Sequence, residues 1–305
     1  MSFSILLVDY CSIKETLKYI DICNLKMKSS GDIQFFITDN SLTGEAWKHL
    51  EDNYSRTNII KIDKYDVYEY LYNDSKIYCI PTYDNMGYAR GNNVAGNASI
   101  KLFPENHLLV SNNDILFEEE CDLDVVDGLF NDNNYAIIGP DVIQHGQHLN
   151  PINIYNKSYY MFLIYLNTVL PKKIAPRSKT DKRTFSGCFW FINNQFYKQL
   201  RGFDEGTFMY YEEQIMAERV NQLGGEFYYH SDMHIIHNHS TKVLNTKRAI
   251  RYMNTIHKSG NYYVKKYLKP NAIVYACSNI CYYLLMVIFI LERLIRDFIY
   301  INKKA

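Results

Sequence analysis

A carboxylate follows directly after one of the most apolar segments of the chain. The run His107–Ser111 predicts a short buried strand, and Asn112-Asn113-Asp114 comes next. This position puts an acidic oxygen at the carboxyl edge of a sheet, where open α/β sheets bind ligands. Asp114 is therefore a candidate ligand for Mg²⁺ or Mn²⁺ carrying diphosphate oxygens. An ordinary strand-end turn also accounts for the motif, because Asn and Asp favour turns for local reasons.

Glu212 and Glu213 form a second acidic site, far downstream. They stand near the start of a helix predicted over 210–223. A carboxylate there either acts as a general base for a hydroxyl or only balances the helix dipole. Arg219 lies nearly two turns further along, and we expect it to pair with a helix carboxylate or a ligand phosphate.

Three histidines, His234, His237 and His239, lie close together. The alternation of side chains in a strand separates His234 from His237, which disfavours a three-histidine zinc site. One histidine at the end of the strand is a candidate single metal ligand, and we expect the other two to be ordinary satisfied side chains.

The polar loop 85–93 leads into a helix predicted over 92–103. The N–H groups and dipole of a helix start attract diphosphate, although a glycine-containing loop with Asn caps explains the same residues. The glycine spacing of 91–98 resembles a P-loop, but Asn97 replaces the lysine and Ala98 replaces the metal-binding hydroxyl, which excludes that motif. No Gly-x-Gly-x-x-Gly follows the first strand, which counts against a dinucleotide-binding domain.

Regular elements must position these residues, and the first half of the chain alternates strands and helices. Apolar runs predict strands at 3–8, 33–37, 58–62, 76–80, 107–111 and 135–138, and helical spacing predicts helices at 13–27, 92–103 and 119–130. This alternation indicates an α/β fold with a mostly parallel central sheet flanked by helices. Further strands are predicted at 184–192, 226–230 and 233–236, with helices at 193–200 and 210–223. Between the halves, 141–183 is predicted to be a long loop with one aromatic helix at 159–170.

Composition narrows the function classes. The 305 residues suffice for one large domain or a domain with an appendage, and 33 basic against 33 acidic residues disfavour a nucleic-acid binder. The seven cysteines include no Cys-x-x-Cys pair, which argues against a zinc ribbon or redox motif. This unpatterned cysteine count, and an amino terminus that does not resemble a signal peptide, indicate a cytoplasmic protein.

The carboxyl-terminal part has a different character, because 272–291 contains no charged residue. About 20 apolar residues can span a bilayer, but Ser278 and Asn279 make this stretch only marginally hydrophobic. Basic residues flank it on both sides, which suits the anionic cytoplasmic leaflet. Peripheral membrane docking through 265–304, a packed core or dimer helix, and a true span all remain open.

Eight short blocks occur in a fixed order between residues 3 and 265. They are Val8-Asp9-Tyr10, Thr38-Asp39-Asn40-Ser41, the loop with Asn85, Gly87, Tyr88, Ala89, Gly91, Asn92 and Asn93, Asn112-Asn113-Asp114, Ser186-Gly187, Gly202-Phe203-Asp204-Glu205, Phe208-Met209-Tyr210-Tyr211-Glu212-Glu213 with Arg219, and His237 with Ser240. In this order the blocks resemble the family 2 inverting glycosyltransferases of GT-A fold. The likeness is strongest to the rhamnosyltransferase-like branch that builds bacterial surface polysaccharides of the capsule or O-antigen type.

The resemblance implies a GT-A (nucleotide-diphospho-sugar transferase) domain over 1–240 and a C-terminal helical segment over 241–305. It implies nucleotide-sugar binding by Tyr10, Asp39, Asn85, Gly87, Asn93, Asn112 and Asn113, with Tyr10 and Asp39 at a pyrimidine base and Asn112 near the ribose. It makes Asp114 and His237 ligands of a divalent metal, Mn²⁺ or Mg²⁺, and Glu213 the catalytic base. The residues assigned to acceptor binding or support of the site are Glu212, Arg219, Trp190 and Gly187.

The implied activity is inverting transfer of a sugar from a UDP- or dTDP-sugar to a lipid-linked glycan at the inner face of the cell membrane. Three residues depart from the family pattern: Cys11 replaces an Asn, Ile215 replaces an acid, and Glu213 replaces the usual Asp. These departures keep open a second hypothesis, a catalytically silent nucleotide-sugar-binding partner of another transferase. A homodimer also remains open. An oxidoreductase and a nucleotidyltransferase are disfavoured, because the glycine-rich loops that they need are missing.

Overall fold

The computed structural model describes residues 2–153, 183–238 and 245–304. Within these ranges the strands are β1 (Phe3–Asp9), β2 (Met27–Lys28), β3 (Ile33–Asp39), β4 (Arg56–Ile62), β5 (Tyr65–Tyr72), β6 (Ser75–Pro81), β7 (His107–Ser111), β8 (Ile115–Phe117), β9 (Cys121–Asp122), β10 (Tyr135–Gln144), β11 (Gln147–His148), β12 (Ile152–Asn153), β13 (Arg183–Thr184), β14 (Phe189–Ile192) and β15 (Glu226–His237). The helices are α1 (Ile13–Lys26), α2 (Glu45–Asn53), α3 (Gly87–Leu102), α4 (Leu123–Asp132), α5 (Asn194–Leu200), α6 (Glu212–Gln222), α7 (Thr246–Tyr263) and α8 (Ala272–Lys304), with a π-helical turn at Val264–Leu268. The helix predicted at 159–170, most of the loop 141–183, His239 and Ser240 lie outside the described residues.

One large sheet contains eleven of these strands, in the order β4-β5-β6-β3-β1-β7-β14-β10-β15-β8, with β11 paired to β10. β6, β3, β1 and β7 run parallel, as do β10 and β15. β14 runs antiparallel between β7 and β10, and β4, β5 and β6 form an antiparallel meander at one edge. The predicted α/β class, with a central sheet, flanking helices and a C-terminal helix, is confirmed. The expectation of a mostly parallel sheet is wrong, because six of its ten described strand pairings are antiparallel.

The central strands are mostly apolar because both faces of the sheet are covered. Alternate residues of β1 belong to two separate hydrophobic cores, Ile5 and Leu7 to one and Leu6 to the other. Successive side chains of a strand point to opposite faces, so an unbroken apolar run is what a doubly covered sheet requires. Leu17 of α1 packs into the first core and Ala95 of α3 into the second.

The order of the strands reverses at β1. The chain places β3 and β6 on one side of β1 and later returns to place β7 on the other side. Such a reversal is a topological switch point, where loops leave neighbouring strand ends in opposite directions and ligands bind. Asp9 ends β1 and 112–114 follow β7, so the predicted strand-end residues stand at this point.

Several elements differ from the sequence-based expectation. β5 and α2 were not predicted, because the tyrosines of β5 carry little pattern and α2 is a short helix. β15 is one strand rather than two, since it bulges in the middle: Pro140 pairs with His230, but Asp141 pairs with His234. The exposed residues 231–232 occupy the bulge, which explains why the apolar pattern is interrupted there.

Contacts divide the chain into two units. The first consists of Met1–Ile152, Arg183–Phe208 and Glu212–His239. The second contains Met209–Tyr211 and the helices α7 and α8. Within the second unit, Ala272–Arg296 is long and apolar enough to cross a membrane, by length and composition only.

Candidate functional site

Asp114 and His237 face each other at the carboxyl edge of the sheet. Asp114 Oδ1 lies 3.2 Å from Nε2 of His237, the last residue of β15. The side chain of Asn112 reaches the same imidazole, with 3.4 Å between Asn112 Nδ2 and His237 Nε2. The backbone is fixed as well, because the Asn238 N–H donates to the Asp114 carbonyl at 2.9 Å. Residues that are remote in sequence therefore form one acid–imidazole pair.

Glu213, in the first turn of α6, contacts the segment 186–188. Its Oε1 accepts a hydrogen bond from the Gly187 N–H at 3.2 Å. A Cβ at Gly187 would lie 3.2 Å from Glu213 Oε1 and 3.4 Å from the Tyr88 hydroxyl, so the absence of a side chain allows this close approach. The Tyr88 hydroxyl donates to the Gly187 carbonyl. Tyr88, which the sequence assigned no separate role, thus holds the backbone that Glu213 contacts.

The segment 186–188 joins Glu213 to the Asp114 loop. The carbonyl of Cys188 accepts a hydrogen bond from the Asn112 N–H at 2.9 Å, one residue beyond the contact with Glu213. Burial, and then the charges of Asp114 and Glu213, raise the pKa of the Cys188 thiol to about 12. Hydrogen bonds at Gly187 and Cys188 thus link Glu213 to the loop that carries Asp114.

The environment of Glu213 differs from that of its neighbour Glu212. Burial raises the pKa of Glu213 above its ordinary value of 4.5, although hydrogen bonds from backbone N–H groups oppose the shift. A carboxylate with a raised pKa is a stronger proton acceptor. Glu212 is buried, and its Oε1 accepts a hydrogen bond from Thr207 Oγ1 at 3.2 Å. The hydrogen bond from the Gly187 N–H is accepted by Glu213.

Asp39, which the resemblance places at the pyrimidine base, is fully buried. Its Oδ1 accepts hydrogen bonds from the Ser41 N–H at 3.0 Å and the Ser41 hydroxyl at 2.6 Å. Its Oδ2 accepts one from the Trp47 N–H at 3.0 Å. The carboxylate therefore holds its own loop and the start of α2.

Asp9 and Asn113 form a second closed network. Asp9 accepts hydrogen bonds from the Thr16 hydroxyl at 2.6 Å, and from the N–H and hydroxyl of Ser12 at 3.2 and 3.1 Å. Asn113 Nδ2 donates to the Ser12 and Thr16 hydroxyls at 3.1 and 2.8 Å. Asn113 thus ties the loop after β7 to the start of α1. Burial raises the pKa of Asp9, a residue that the sequence left without a role.

Tyr10 is the predicted base-binding residue that the structure leaves open to solvent. It directly follows β1 and is 53% exposed. An exposed aromatic ring at the switch point can stack on a planar base, because every base has a π-face.

The loop 85–93 is shaped by Gly87 more than by its polar side chains. Gly87 has a φ of +77°, and a Cβ there would lie 2.0 Å from the Phe208 carbonyl oxygen, so only glycine fits. The Gly87 N–H donates to Asn85 Oδ1 at 3.2 Å, and the Tyr88 N–H donates to the Phe208 carbonyl at 2.9 Å. Two N–H groups at the start of α3 thus have protein partners, which leaves fewer for a diphosphate than the sequence suggests.

Asn93 is buried and its amide is fully engaged. Its Nδ2 donates to the Phe203 carbonyl and to Glu205 Oε1, both at 2.9 Å. Its Oδ1 accepts from the Phe203 N–H at 2.7 Å and from the Tyr197 hydroxyl at 3.4 Å. An Asn side chain has two donors and two acceptor positions, so these four bonds use its whole capacity. Asn93 therefore joins α3 to the loop after α5.

Arg219 and Trp190 support the fold near the site. The Arg219 guanidinium donates to the Gly202 carbonyl at 2.6 Å and to the Leu200 carbonyl, where it stabilises the end of α5. Trp190 is fully buried, and its Nε1–H donates to the Phe185 carbonyl at 3.2 Å. The buried indole supports β14 from within the core, where it is not accessible to an acceptor glycan.

Two clefts of about 320 and 360 Å³ open beside Lys64, Tyr65 and Met86. The larger one is also lined by Arg90 and Asn93, whereas Asp114, His237 and Glu213 line neither. These clefts lie along β5 and α3, so the acid–imidazole pair is a separate feature of the surface.

The Asp114–His237 pair has the donor types of a divalent metal site, a carboxylate oxygen and an imidazole nitrogen. Two donors bound to one ion at about 2.1 Å are at most about 4.2 Å apart, and these two are 3.2 Å apart. Among the residues that the structure describes, no group of three or more His, Cys, Asp or Glu side chains could hold a metal ion. An ion at this pair would therefore complete its shell with diphosphate oxygens and water, as Mg²⁺ sites commonly do.

No protein-family model matches the chain, and no curated protein matches it. The case for its function therefore rests on the residues and geometry of this site.

Proposed function

We propose that the protein is an inverting glycosyltransferase of GT-A fold that uses a UDP- or dTDP-sugar as donor and a lipid-linked glycan as acceptor. Asp114 and His237 would hold a divalent ion and the donor diphosphate, and Glu213 would be the catalytic base. The product would be a bacterial surface polysaccharide of the capsule or O-antigen type, made at the inner face of the membrane.

One observation carries the proposal. Asp114, which follows β7 at the switch point, has its Oδ1 3.2 Å from Nε2 of His237, and Glu213 bonds to Gly187, next to the residue that bonds the Asp114 loop. Ligands of open α/β sheets bind at such a point. Inverting transfer needs one group for the leaving diphosphate and one base for the attacking hydroxyl, and this region offers both.

The reaction is a single displacement. The acceptor oxygen forms a bond to the anomeric carbon of the sugar, and the bond from that carbon to the diphosphate oxygen breaks with its electron pair on the diphosphate. A divalent ion, when bound, would neutralise that charge as a Lewis acid. The acceptor proton passes to the Glu213 carboxylate, whose burial raises its pKa and favours the transfer.

Glu213 is one methylene longer than the Asp usual at this place in the resembling family. Its carboxylate is positioned by the Gly187 N–H, and the Glu213 carbonyl accepts a hydrogen bond from Thr184 Oγ1 at 3.1 Å. These two contacts support a positioned base, because the backbone and the carboxylate are both held.

The second candidate is a silent nucleotide-sugar-binding partner of another transferase. The residues Cys11, Ile215 and Glu213 favour it, because each of them replaces the residue that is usual at its place in the resembling family. The two candidates differ in one property: a transferase slowly hydrolyses its donor in water, whereas a silent partner only binds it.

The test has two stages. Thermal-shift screening against nucleotide sugars with Mn²⁺ identifies a donor, and release of the nucleoside diphosphate from it is then measured with the wild type and with Glu213→Gln. We expect stabilisation by a pyrimidine nucleotide sugar, and release that depends on Glu213. Binding without release would support the silent partner, and no stabilisation by any nucleotide sugar would refute both candidates.

A further inference from the structure

The charges of this chain are strongly segregated, although its formal net charge is zero. Residues 245–304 contain eleven Lys and Arg but only two acids, Glu292 and Asp297. The remainder of the chain therefore carries a matching excess of negative charge. A basic region of this density is attracted to an anionic surface, and each Lys or Arg near an anionic bilayer adds about 1 kcal/mol.

One face of α8 is an exposed apolar stripe. Nine large apolar side chains between 273 and 295 are each 51 to 75% exposed: Ile273, Ile280, Tyr283, Leu284, Val287, Ile288, Leu291, Leu294 and Ile295. At about 100° per residue they fall within an arc of about 140°, and they extend for about 33 Å along the helix. The charged residues Glu292, Arg293 and Arg296 lie outside that arc, so the stripe is uninterrupted.

The opposite face of α8 is joined to α7 by polar contacts. The Tyr282 hydroxyl donates to Asn254 Oδ1 at 2.8 Å, and Asn261 Nδ2 donates to Asn279 Oδ1 at 2.8 Å. The ring of His257 stacks on Tyr282 with centroids 3.5 Å apart. This joint fixes α8 against a helix that carries four Lys and Arg residues, at 247, 248, 251 and 258.

The joint argues against a spanning arrangement. A spanning α8 would either lose these contacts or bring the charged helix α7 into hydrocarbon, where charged side chains are costly. An in-plane arrangement keeps the joint on the protein side and buries only the stripe, as interfacial helices do.

We infer that α8 lies in the plane of an anionic lipid bilayer, with the apolar stripe in the acyl boundary and the basic residues of 245–304 at the headgroups. This inference concerns the second unit alone, and lipid binding is measured independently of transfer activity.

The experiment is flotation of the full chain with two kinds of vesicle, phosphatidylcholine with phosphatidylglycerol and phosphatidylcholine alone. We expect binding to the anionic vesicles, binding to the neutral ones that is weaker by more than about a hundredfold, and release of the bound protein by alkaline carbonate. Equal binding to both vesicles, or retention after carbonate as for a spanning helix, would overturn the inference.

Two matched triple variants test the stripe. Leu284→Gln, Leu291→Gln and Leu294→Gln together remove apolar area from the stripe, and we expect about a hundredfold weaker partitioning. Leu25→Gln, Leu42→Gln and Leu71→Gln make the same chemical change at exposed leucines of the first unit, and we expect unchanged partitioning. Equal behaviour of the two triples would overturn the inference.

A charge variant keeps the test decisive if the stripe variant folds poorly. Lys265→Glu with Lys269→Glu alters two exposed side chains and leaves the stripe intact, and we expect about tenfold weaker binding to anionic vesicles. Unchanged binding would contradict the charge contribution.

The oligomeric state distinguishes a lipid surface from a second copy of the chain. If the wild type binds neither kind of vesicle but forms a dimer, and light scattering shows that the stripe triple variant is monomeric, the stripe binds a second copy. That result would overturn the inference.

Discussion

The carboxyl edge of the sheet carries two pairs of carboxylates in different surroundings. Asp9 and Asp39, which end β1 and β3, are fully buried, and each accepts three hydrogen bonds from its own loop and the helix that follows it. Asp114, by contrast, keeps 34% of its side chain exposed beside His237, and Glu213 lies against the Gly187 backbone. Position at the same edge therefore does not give these acids the same role.

The difference separates loop-holding acids from candidate reactive acids. A carboxylate whose oxygens are filled by local donors stabilises a turn and costs free energy when it is lost. A carboxylate that remains accessible near an imidazole, or that has a raised pKa, can meet a substrate. A raised pKa alone does not identify a reactive acid. Burial also raises the pKa of Asp9, yet its hydrogen bonds remain inside the protein.

The largest expected effect is that of Glu213→Gln on turnover. The change removes the proton acceptor and keeps an oxygen for the Gly187 N–H, so we expect kcat to fall by about 10²- to 10⁴-fold. Nucleotide affinity should not change, as calorimetry can check. Glu212→Gln is the matched control, and we expect it to keep most of the activity. A larger loss with Glu212→Gln would make Glu212 the base.

Asp114→Asn should have the next largest effect. Loss of the charged metal ligand should lower Mn²⁺-dependent turnover by about a hundredfold, and added Mn²⁺ should restore part of it. The control is Asp52→Asn, an exposed acid of α2 for which we expect wild-type rates. Rates that do not respond to Mn²⁺ or to chelation would argue against a metal at Asp114.

Asp39→Asn tests the loop-holding side of the comparison. Its amide would place a donor against the N–H of Trp47 or the donors of Ser41, so we expect the free energy of unfolding to fall by about 2 kcal/mol. Urea denaturation measures this, again with Asp52→Asn as control. If stability is unchanged and nucleotide binding is lost, Asp39 binds the pyrimidine base, as the family resemblance implies.

The smallest expected effect is a gain of stability, whereas the three changes above cause losses of turnover or stability. The native pKa of Glu213 lies above 4.5, so protonation favours the folded state and ionisation opposes it. The wild type should thus lose stability as the pH rises through that native pKa, whereas Glu213→Gln should not. Above it we expect Glu213→Gln to be slightly more stable than the wild type, measured by urea unfolding over a pH series. A Glu213→Gln variant that is less stable at neutral pH would place Glu213 among the structural acids.

The scaffold of the site could be predicted from the sequence because its signals are local. The apolar runs of β1, β3 and β7 end at Asp9, Asp39 and the Asn112 loop, and strand ends of one orientation meet at one edge. The pairing of Asp114 with His237 was implied only by the family resemblance. In the structure it depends on β8, which begins directly after Asp114 and pairs Ile115 with His237.

The roles of several side chains could not be predicted, because their partners come from distant segments. Asn93 is saturated by Phe203 and Glu205, and Arg219 by the carbonyls of Leu200 and Gly202. A polar residue near a site looks the same in sequence whether it faces a ligand or the protein. Trp190 shows the same limit for an aromatic side chain.

The most direct test of the central claim is Mn²⁺ titration by electron paramagnetic resonance in the presence of UDP or dTDP. We predict nucleotide-dependent Mn²⁺ binding by the wild type and by Glu213→Gln, and its loss in Asp114→Asn and His237→Ala. Mn²⁺ binding that persists in both of those variants, or that no nucleoside diphosphate promotes in the wild type, would contradict the account.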